Sequence, residues 1–571
     1  MRLHGQDVYD AYVEAGWWSQ ETLLDVLDRQ VRERGDELAV ADPPNRDELV
    51  GGQPKRWAWR DLDARVDSIA SALLAAGIQR DDVVGVQLPN IVELPATLLA
   101  IMRIGAIASP FPVQFRAHEI IQLADIGGMV AMVTAARIGE RADAEELVAI
   151  RDRTPSVHTV LALGAEEHDQ VVALDVEGAP DRATLQQRVG EWSHHANDAV
   201  TLCWTSGTES APKGVPRTSA DWMAIARATT DAPPLDASDV LLNPFPMVNM
   251  AGIGGMMVPW LMTGAQLIMH HPFDLPTFLK QIAVERPTYT VAPPAVLNLL
   301  LAKEELLEQA DVSSLKVIGS GSAPLSTWMV EGWKDRYGIE VTNFFGSNEG
   351  IALIGDPATV PDPANRAQYF PWFGAEGLSW PNGVSQGTRT RLVDVITGRE
   401  ITEPGYPGEL RITGPTVFAG YWRAEEQGLQ AFDDQGYLRT GDVFEIVPDD
   451  AGELTLLRFV DRAKDLIVRG GYNISPAEVE GLVLSHPKVA EVAAIGLPDQ
   501  ELGERTCVVV VPAGDEPPTL AELVDHLREQ QVASYKLPER LEIVEQLPRN
   551  PVGKILKRDL RDQVAEEVTT G

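Results

Sequence analysis

A run of small hydroxyl residues and glycine, closed by a lysine, is the first part of the sequence in which phosphate chemistry is expected. It covers residues 205–215 and reads Thr-Ser-Gly-Thr-Glu-Ser-Ala-Pro-Lys-Gly-Val. Backbone N–H groups and hydroxyls in such a loop can converge on phosphate oxygens, and Lys213 adds positive charge. The apolar run 199–204 predicts a strand that anchors the loop. Because no Ser or Thr follows Lys213, the P-loop pattern is absent and a different nucleotide chemistry is indicated.

Four further stretches carry residue types suited to binding a nucleotide. In 344–350 an aromatic side chain that can stack on a purine precedes a carboxylate that can hold a hard cation such as magnesium. In 437–442 a carboxylate follows a tight turn and could accept hydrogen bonds from a ribose diol. Residues 461–474 combine several charged residues with two consecutive glycines. In 551–556 a lysine follows a glycine. Each stretch alone is also compatible with an ordinary turn or loop.

Length, charge and cysteine content limit the class of protein. A chain of 571 residues exceeds one hydrophobic core, so two or more domains are expected. The formal net charge of −36 argues against a nucleic-acid or anionic-membrane partner, since both require a basic face. Any ATP site must therefore be locally basic. The two cysteines, Cys203 and Cys507, favour a reducing compartment without disulfides or a zinc cluster.

Two features predict a cytoplasmic protein without a membrane span. The first 16 residues carry several charges and lack the apolar run of a signal peptide. The segment 240–273 contains no Asp, Glu, Lys or Arg, but prolines and glycines interrupt it. We therefore expect it to form buried core, because unpaired backbone is not tolerated in lipid.

Apolar runs alternate between strand-like and helical spacing through much of the chain. This alternation predicts parallel sheets connected by crossover helices. From about residue 409 the pattern changes to shorter strands and turns, and beyond Arg462 it predicts a small α+β unit.

The five stretches, in this order and at these separations, resemble the adenylate-forming superfamily of acyl- and aryl-CoA synthetases, peptide-synthetase adenylation domains and luciferases. The resemblance covers about residues 21–561 and is greatest to stand-alone aryl-acid AMP ligases, through 12–23, 462–471 and 497–505. It implies an α/β fold in which residues 1–463 form a large domain of parallel-rich sheets with helices and a small barrel-like subdomain. Residues 464–571 would form a small, mobile α+β domain.

The resemblance also implies a role for individual residues in binding ATP. Phe345 would stack on adenine, and Asp442 and Arg462 would hold the ribose. Magnesium would be bound by Glu349 and Thr208. The full implied ATP-binding set is Thr205, Ser206, Gly207, Thr208, Lys213, Gly321, Ser322, Ala323, Pro324, Phe344, Phe345, Gly346, Ser347, Asn348, Asp442 and Arg462.

Catalysis and the second half-reaction are implied in the same way. Lys554 and Glu349 would be the catalytic residues, with Lys554 stabilising charge as the acyl-adenylate forms and pyrophosphate leaves. The small domain would then swing about Lys464 to a second pose. In that pose Gly470 and Gly471 would line a channel for the pantetheine thiol.

The resemblance also implies an acyl pocket. Its implied residues are Asn249, Met250, Gly252, Ile253, Gly254, Gly319 and Ser320. The glycines of this region, with Gly255 and Gly321, are expected to leave volume, while Met250 and Ile253 make the wall apolar. We therefore expect a bulky, weakly functionalised acid that is alicyclic, terpenoid or aromatic.

Together these residues predict a magnesium-dependent acid:CoA ligase that cleaves ATP to AMP and pyrophosphate and forms an acyl-AMP and then a thioester. The expected partners are ATP, a carboxylic acid, and CoA or a separate carrier protein, with a homodimer possible. One alternative is an adenylation-only ligase that delivers its acyl group to a carrier protein. Another, of a different class, is a luciferase-like oxidase or a non-catalytic binder of acyl-adenylates.

Several positions depart from the family pattern. Asn348 replaces the usual Thr, Ser219 stands where many members have His, and Asn249 replaces a His that often gates the pocket. Met250 occupies the place of an Asn in dihydroxybenzoate ligases, which argues against a hydroxylated aryl acid. Glu209 and Ser210 replace the usual Thr and Gly of the phosphate loop, so Glu209 either points away from ATP or binds the magnesium.

Replacing Glu209 with Thr tests the orientation of this carboxylate. If it faces the phosphates, its repulsion is about 1 kcal/mol at about 4 Å in water and more where water is excluded. We expect Glu209→Thr to raise the affinity for ATP about fivefold, measured by equilibrium titration. An unchanged affinity would show that the carboxylate points elsewhere.

Overall fold

The computed structural model describes the whole chain except residues 166–168, 206–211, 233, 309, 464, 470–471, 500–501, 531, 550–554 and 571. Predictions for some site residues therefore lie outside the described residues. These are Ser206, Gly207, Thr208, Glu209, Ser210, Lys464, Gly470, Gly471 and Lys554.

Strands and helices alternate along most of the chain. The strands are β1 Leu38–Ala41, β2 Arg56–Ala58, β3 Val83–Val86, β4 Ile107–Pro110, β5 Met129–Ala135, β6 Thr159–Leu163, β7 Val172–Ala173, β8 Ala199–Trp204, β9 Gly214–Thr218, β10 Val240–Asn243, β11 Gln266–Met269, β12 Tyr289–Val291, β13 Val317–Gly321, β14 Glu340–Ser347, β15 Gly350–Gly355, β16 Tyr369–Pro371, β17 Arg389–Val393, β18 Glu400–Ile401, β19 Gly408–Thr413, β20 Leu438–Pro448, β21 Leu454–Arg462, β22 Ile467–Arg469, β23 Tyr472–Ile474, β24 Val489–Asp499, β25 Gly503–Pro512 and β26 Arg540–Ile543.

The α-helices are α1 Gln6–Glu14, α2 Leu23–Arg34, α3 Arg46–Leu49, α4 Trp59–Ala75, α5 Glu93–Arg103, α6 Ala117–Gly127, α7 Asp143–Arg151, α8 Arg182–Val189, α9 Ser219–Thr230, α10 Val258–Thr263, α11 Leu275–Glu285, α12 Pro294–Ala302, α13 Glu304–Glu308, α14 Thr327–Tyr337, α15 Pro363–Gln368, α16 Gly383–Gly387, α17 Glu425–Ala431, α18 Pro476–Leu484, α19 Leu520–Glu529 and α20 Lys557–Thr570. A π-helix lies at Met250–Met257 and a 3₁₀ helix at Ser534–Lys536.

The chain divides into two compact units. Unit 1 comprises Met1–Thr390 and Ile412–Leu438, and unit 2 comprises Arg391–Arg411 and Arg439–Gly571. The predicted domain boundary after residue 463 stays a prediction.

Unit 1 contains two parallel-rich sheets, as predicted. One has the strand order β15-β14-β13-β12-β10-β11-β1-β2, and the other β7-β6-β5-β3-β4-β8-β9. Among the described strand pairs of these two sheets, β14–β15, β1–β2 and β8–β9 are antiparallel, and each lies at a sheet edge. Strands such as β3 and β4 are buried along their whole length, which is typical of parallel strands covered on both faces.

One hydrophobic core joins the two sheets of unit 1. It includes side chains from strands of both sheets, from α4 and α5, and from the π-helix. Representative members are Val40, Val84, Ala108, Leu241, Leu267, Leu62, Leu98 and Met256. The uncharged segment 240–273 contributes β10, the π-helix, α10 and β11 to this core, so the expectation of buried core is confirmed. Among the described residues, no helix has both the length and the apolarity needed to cross a membrane.

Unit 2 contains an antiparallel region followed by a small α+β region. In the first, strands lie in the order β21-β20-β19-β17-β18. We expected a barrel-like subdomain here, but among the described residues the sheet is open, because its final strand β18 has two residues and pairs on one side only. The second region has the order β23-β22-β25-β24, with β26 pairing in parallel to β25.

Candidate active site

The phosphate loop predicted at 205–215 begins and ends at a pair of hydrogen-bonded segments, 204–205 and 213–214, which we call the neck. Strands β8 and β9 pair up to Trp204 and Gly214. One step further, the Thr205 N–H donates to the Lys213 carbonyl at 3.0 Å, and the Lys213 N–H donates to the Thr205 hydroxyl at 3.2 Å. The indole of Trp204 donates to Ser109 Oγ at 2.9 Å and anchors the neck in the sheet. Both ends of the loop are therefore fixed on rigid strands, as a binding loop requires.

The side chain of Asn348 connects this neck to the predicted acyl pocket. Its Nδ2 donates to the Trp204 carbonyl at 2.8 Å, and its Oδ1 accepts from the Met250 N–H at 2.9 Å. Trp204 ends the strand before the phosphate loop, and Met250 is the first residue of the π-helix. One amide thus holds the two elements expected to bind ATP and the acid. Below we call these two hydrogen bonds the Asn348 bridge.

A fully buried arginine donates a hydrogen bond to the backbone of Asn348. Arg217 Nη2 donates to the Asn348 carbonyl at 2.6 Å, and Nη1 donates to the Thr416 carbonyl at 2.9 Å. Its guanidinium lies 3.8 Å from the Asp221 carboxylate, and both side chains have 0% exposure. Burial lowers the pKa of Arg217, while Asp221 opposes that shift. Sequence reasoning missed this residue, although a single arginine in an apolar strand is a signal for a buried charge with a partner.

Glu349 lies next to the Asn348 bridge and is held by a segment far along the chain. The Tyr421 hydroxyl donates to Glu349 Oε1 at 2.9 Å, and the Phe418 N–H donates to the Glu349 carbonyl at 2.9 Å. Burial and the Glu349 charge raise the pKa of Tyr421, so the phenol stays protonated and donates. The Lys213 ammonium lies 4.7 Å from the centre of the Tyr421 ring. Sequence reasoning missed Tyr421, and the aromatic pair after Gly420 was the available signal.

The predicted magnesium ligands fit a cation that is held mainly by phosphate. No group of three or more His, Cys, Asp or Glu side chains within the described ranges could hold a metal by itself. Magnesium in nucleotide sites commonly uses one or two carboxylates together with the substrate phosphates. With its Oε1 bonded to Tyr421, Glu349 can offer its second oxygen to such a cation.

The turn at 321–324 follows the carboxyl end of β13 and is exposed except for partly buried Gly321. Ser322 has a φ of +67°, which is unfavourable for a residue other than glycine and occurs where function constrains the backbone. A Cβ on Gly321 would lie 2.3 Å from the Phe344 carbonyl, so only glycine lets β13 and β14 approach this closely. Phe345 and its neighbours Gly346 and Ser347 lie at the carboxyl end of β14, and their contact with adenine stays a prediction.

Two polar residues of the predicted acyl pocket form hydrogen bonds within the fold, and their contact with an acid stays a prediction. Asn249 caps the π-helix: its Oδ1 accepts from the N–H groups of Ala251 and Gly252 at 3.1 and 3.2 Å. Ser320 is also engaged, donating to the Ala292 carbonyl at 2.8 Å. The replacement of a gating His by Asn249 therefore places a helix cap at this position.

Most glycines of the predicted pocket permit close packing and do not leave volume. A Cβ on Gly252 would lie 2.1 Å from the Pro246 carbonyl, and one on Gly254 would lie 2.7 Å from Ile225. On Gly319 it would lie 2.5 Å from the Tyr289 hydroxyl. Of these glycines Gly255 alone faces open space, since no described atom lies within 4 Å of the position that its Cβ would occupy. The expectation that all five glycines enlarge the pocket is wrong, because four of them accommodate neighbouring atoms.

The predicted ribose ligands lie side by side within unit 2. Asp442 on β20 faces Arg462 on β21, and Arg462 Nε lies 3.6 Å from Asp442 Oδ1. The expected tight turn directly before Asp442 is not found, because Leu438–Pro448 form one strand, in which Gly441 has a φ of +71° and donates its N–H to Glu409 Oε1. The structure thus supports a carboxylate with a neighbouring cation, while their binding of ribose stays a prediction.

The Asn348 bridge predicts that one substitution weakens the binding of two substrates. Asn348→Leu leaves the Trp204 carbonyl and the Met250 N–H without this partner, at a cost of about 1–3 kcal/mol each. We expect the KM for ATP and the KM for the acid both to rise about tenfold in steady-state assays.

The matched control is Asn45→Leu, which removes one amide bond to the His271 carbonyl elsewhere in unit 1 and should leave both constants unchanged. A rise in only one of the two KM values for Asn348→Leu would contradict the bridging role.

Known proteins are similar in sequence to nearly the whole chain. The AMP-binding enzyme family matches residues 27–422, and the AMP-binding enzyme C-terminal domain matches residues 478–554. The indoleacetate–CoA ligase of Aromatoleum aromaticum is 32% identical over 89% of this chain and 94% of its own length. The 2,3-dihydroxybenzoate-AMP ligase of Bacillus subtilis is 28% identical over 99% of this chain and 98% of its own length.

Solved structures show the same fold. The amide bond synthetase McbA of Marinactinospora thermotolerans superposes with a TM-score of 0.76 at 25% identity, covering 95% of this chain and 99% of its own. The family match extends over most of the chain and includes the phosphate loop, the Asn348 bridge and the Tyr421 segment. This chain is therefore a member of the AMP-binding enzyme family, within the adenylate-forming superfamily.

Proposed function

We propose that the protein is an ATP-dependent acid:CoA ligase that forms an acyl-AMP and then an acyl-CoA thioester. The observation that carries the proposal is the Asn348 bridge, which fixes the neck of the phosphate loop and the start of the acyl-pocket helix against each other. Such a connection suits a reaction that joins a triphosphate to a carboxylate, because orientation of two reactants supplies much of the rate.

In the first half-reaction a carboxylate oxygen of the acid attacks the α-phosphorus of ATP, and the bond to pyrophosphate breaks. Lys213 at the neck would neutralise the β- and γ-phosphates. Lys554, assigned by resemblance, would stabilise the charge that develops between the carboxylate and the α-phosphate. In the second half-reaction the CoA sulfur attacks the acyl carbonyl, and AMP leaves.

Magnesium bound with the triphosphate would neutralise phosphate charge and so favour the departure of pyrophosphate. Glu349, with Thr208, is proposed to hold it. Asp442 and Arg462 are proposed to bind the ribose, and the adenine ring to stack on Phe345 next to the turn 321–324.

The proposed acid is bulky and largely apolar. Met250 is partly buried and packs against the core, so the start of the π-helix offers an apolar side chain, whereas Ile253 is fully buried in the core. The open side at Gly255 is the direction in which an acyl group can extend. A large alicyclic, terpenoid or aromatic acid fits this wall.

A second candidate is an adenylation-only ligase that passes the acyl group to a separate carrier protein. It is favoured by the similarity, over 99% of this chain, to a protein named as an AMP ligase. The two functions share the first half-reaction and differ only in the thiol acceptor.

Pyrophosphate release over a panel of carboxylic acids, with and without CoA, separates these candidates. We expect repeated turnover only when CoA is present, with the acyl-CoA detected by mass spectrometry. A stalled acyl-AMP that CoA does not discharge would instead favour delivery to a carrier protein. Absence of pyrophosphate with every acid, in a protein that binds acyl-AMP, would contradict both enzymatic proposals.

Lys554→Ala tests whether the two half-reactions use different residues. We expect adenylation to fall at least about 100-fold, as for loss of a charge-stabilising group, with thioester formation from supplied acyl-AMP retained.

The control is Lys488→Ala, a residue of unit 2 whose ammonium pairs with Glu522, and both half-reactions should be unchanged there. Equal loss of both half-reactions in Lys554→Ala would contradict the assigned role.

A further inference from the structure

The segment Phe418 to Trp422 contacts both sides of the proposed triphosphate site. Its aromatic residue Tyr421 lies over Lys213 and donates to Glu349, as described above. The next residue, Trp422, donates its N–H to the Gly214 carbonyl at 2.9 Å, directly after Lys213. Its indole donates to the Gly127 carbonyl at 3.0 Å. The segment is therefore anchored at the neck of the phosphate loop.

The backbone around Tyr421 is held in an uncommon conformation. Gly420 has a φ of +136°, which side-chain-bearing residues rarely adopt, and Arg423 has a φ of +52°. Glycine adopts such a value without steric cost, whereas the value at Arg423 is unfavourable unless the surrounding contacts maintain it. The direction of the Tyr421 ring is thus set by the fold.

Tyr421 contacts a cation through its ring and an anion through its hydroxyl. The ring face attracts the Lys213 ammonium, and the hydroxyl forms a charge-assisted hydrogen bond to the Glu349 carboxylate. Lys213 and Glu349 contact the same side chain and carry opposite charges, so we expect them to attract each other more strongly if a smaller side chain replaced the ring. Such an interaction would neutralise the lysine needed for phosphate and the carboxylate needed for magnesium.

We propose that Tyr421 is a positioning residue of the ATP site, which keeps Lys213 available to the triphosphate through its ring and orients Glu349 through its hydroxyl. The proposal rests on the ATP-dependent function proposed above. The ring would then contribute to ATP binding without metal. The hydroxyl would contribute to the dependence of that binding on magnesium.

Two substitutions separate these contributions. Tyr421→Phe keeps the ring and removes the hydroxyl, whereas Tyr421→Leu removes both. Tyr406→Phe is the matched control, because Tyr406 is 62% exposed and belongs to unit 2. ATP binding is measured at equilibrium by calorimetry, without acid or CoA, first in EDTA and then over a series of magnesium concentrations. The melting temperature of each variant is recorded in parallel.

We expect Tyr421→Phe to bind ATP in EDTA like the wild type. The magnesium concentration that gives half of the magnesium-dependent increase in ATP affinity should be about fivefold higher. Tyr421→Leu should show this shift and also bind ATP about tenfold more weakly in EDTA. The Tyr406→Phe variant should match the wild type in both conditions.

Wild-type magnesium dependence in folded Tyr421→Phe would overturn the role of the hydroxyl, and with it the proposal, even if the melting temperature falls. A Tyr421→Leu variant that fails to fold leaves this result decisive, since Tyr421→Phe conserves the packing. Wild-type protein that binds no ATP in either condition would contradict the proposed function itself, and so is distinguishable from a failure of the Tyr421 proposal.

Discussion

The two hydrogen bonds of the Asn348 amide determine how the proposed substrate sites are arranged. They join the end of β8 to the first turn of the π-helix, and Arg217 fixes Asn348 itself from the buried side. Each bond contributes only about 1 kcal/mol net, but leaving its partners unpaired costs more. The neck of the proposed phosphate loop and the start of the π-helix, where the acyl pocket is proposed, are therefore directly connected. A side chain with both a donor and an acceptor is needed here, and asparagine has both.

The same region shows how a strongly acidic protein can hold a polyanion. The formal net charge is −36, so attraction of a polyanion depends on a local cation that no carboxylate neutralises. Arg217 is matched by the buried Asp221, whereas Lys213 interacts with an aromatic ring. Tyr421 gives Lys213 a favourable neighbour without neutralising it. Local arrangement, and not total charge, thus decides whether ATP can bind.

The sequence was sufficient to predict the parallel sheets, the strand before the phosphate loop and the family, because these follow from local periodicity and motif spacing. It was not sufficient for the environment of each glycine. From the sequence, Gly252 and Gly319 are expected to leave volume. In the fold, the Pro246 carbonyl and the Tyr289 hydroxyl occupy that volume. Tyr421 was also missed, because its partners Glu349 and Lys213 are distant from it in sequence and meet it only through tertiary packing.

Isotope exchange between pyrophosphate and ATP is the decisive measurement, because it reports reversible formation of an acyl-adenylate. We expect exchange that requires magnesium and a carboxylic acid but not CoA. Exchange that is absent with every acid, or that continues without any acid, would contradict the proposed adenylation.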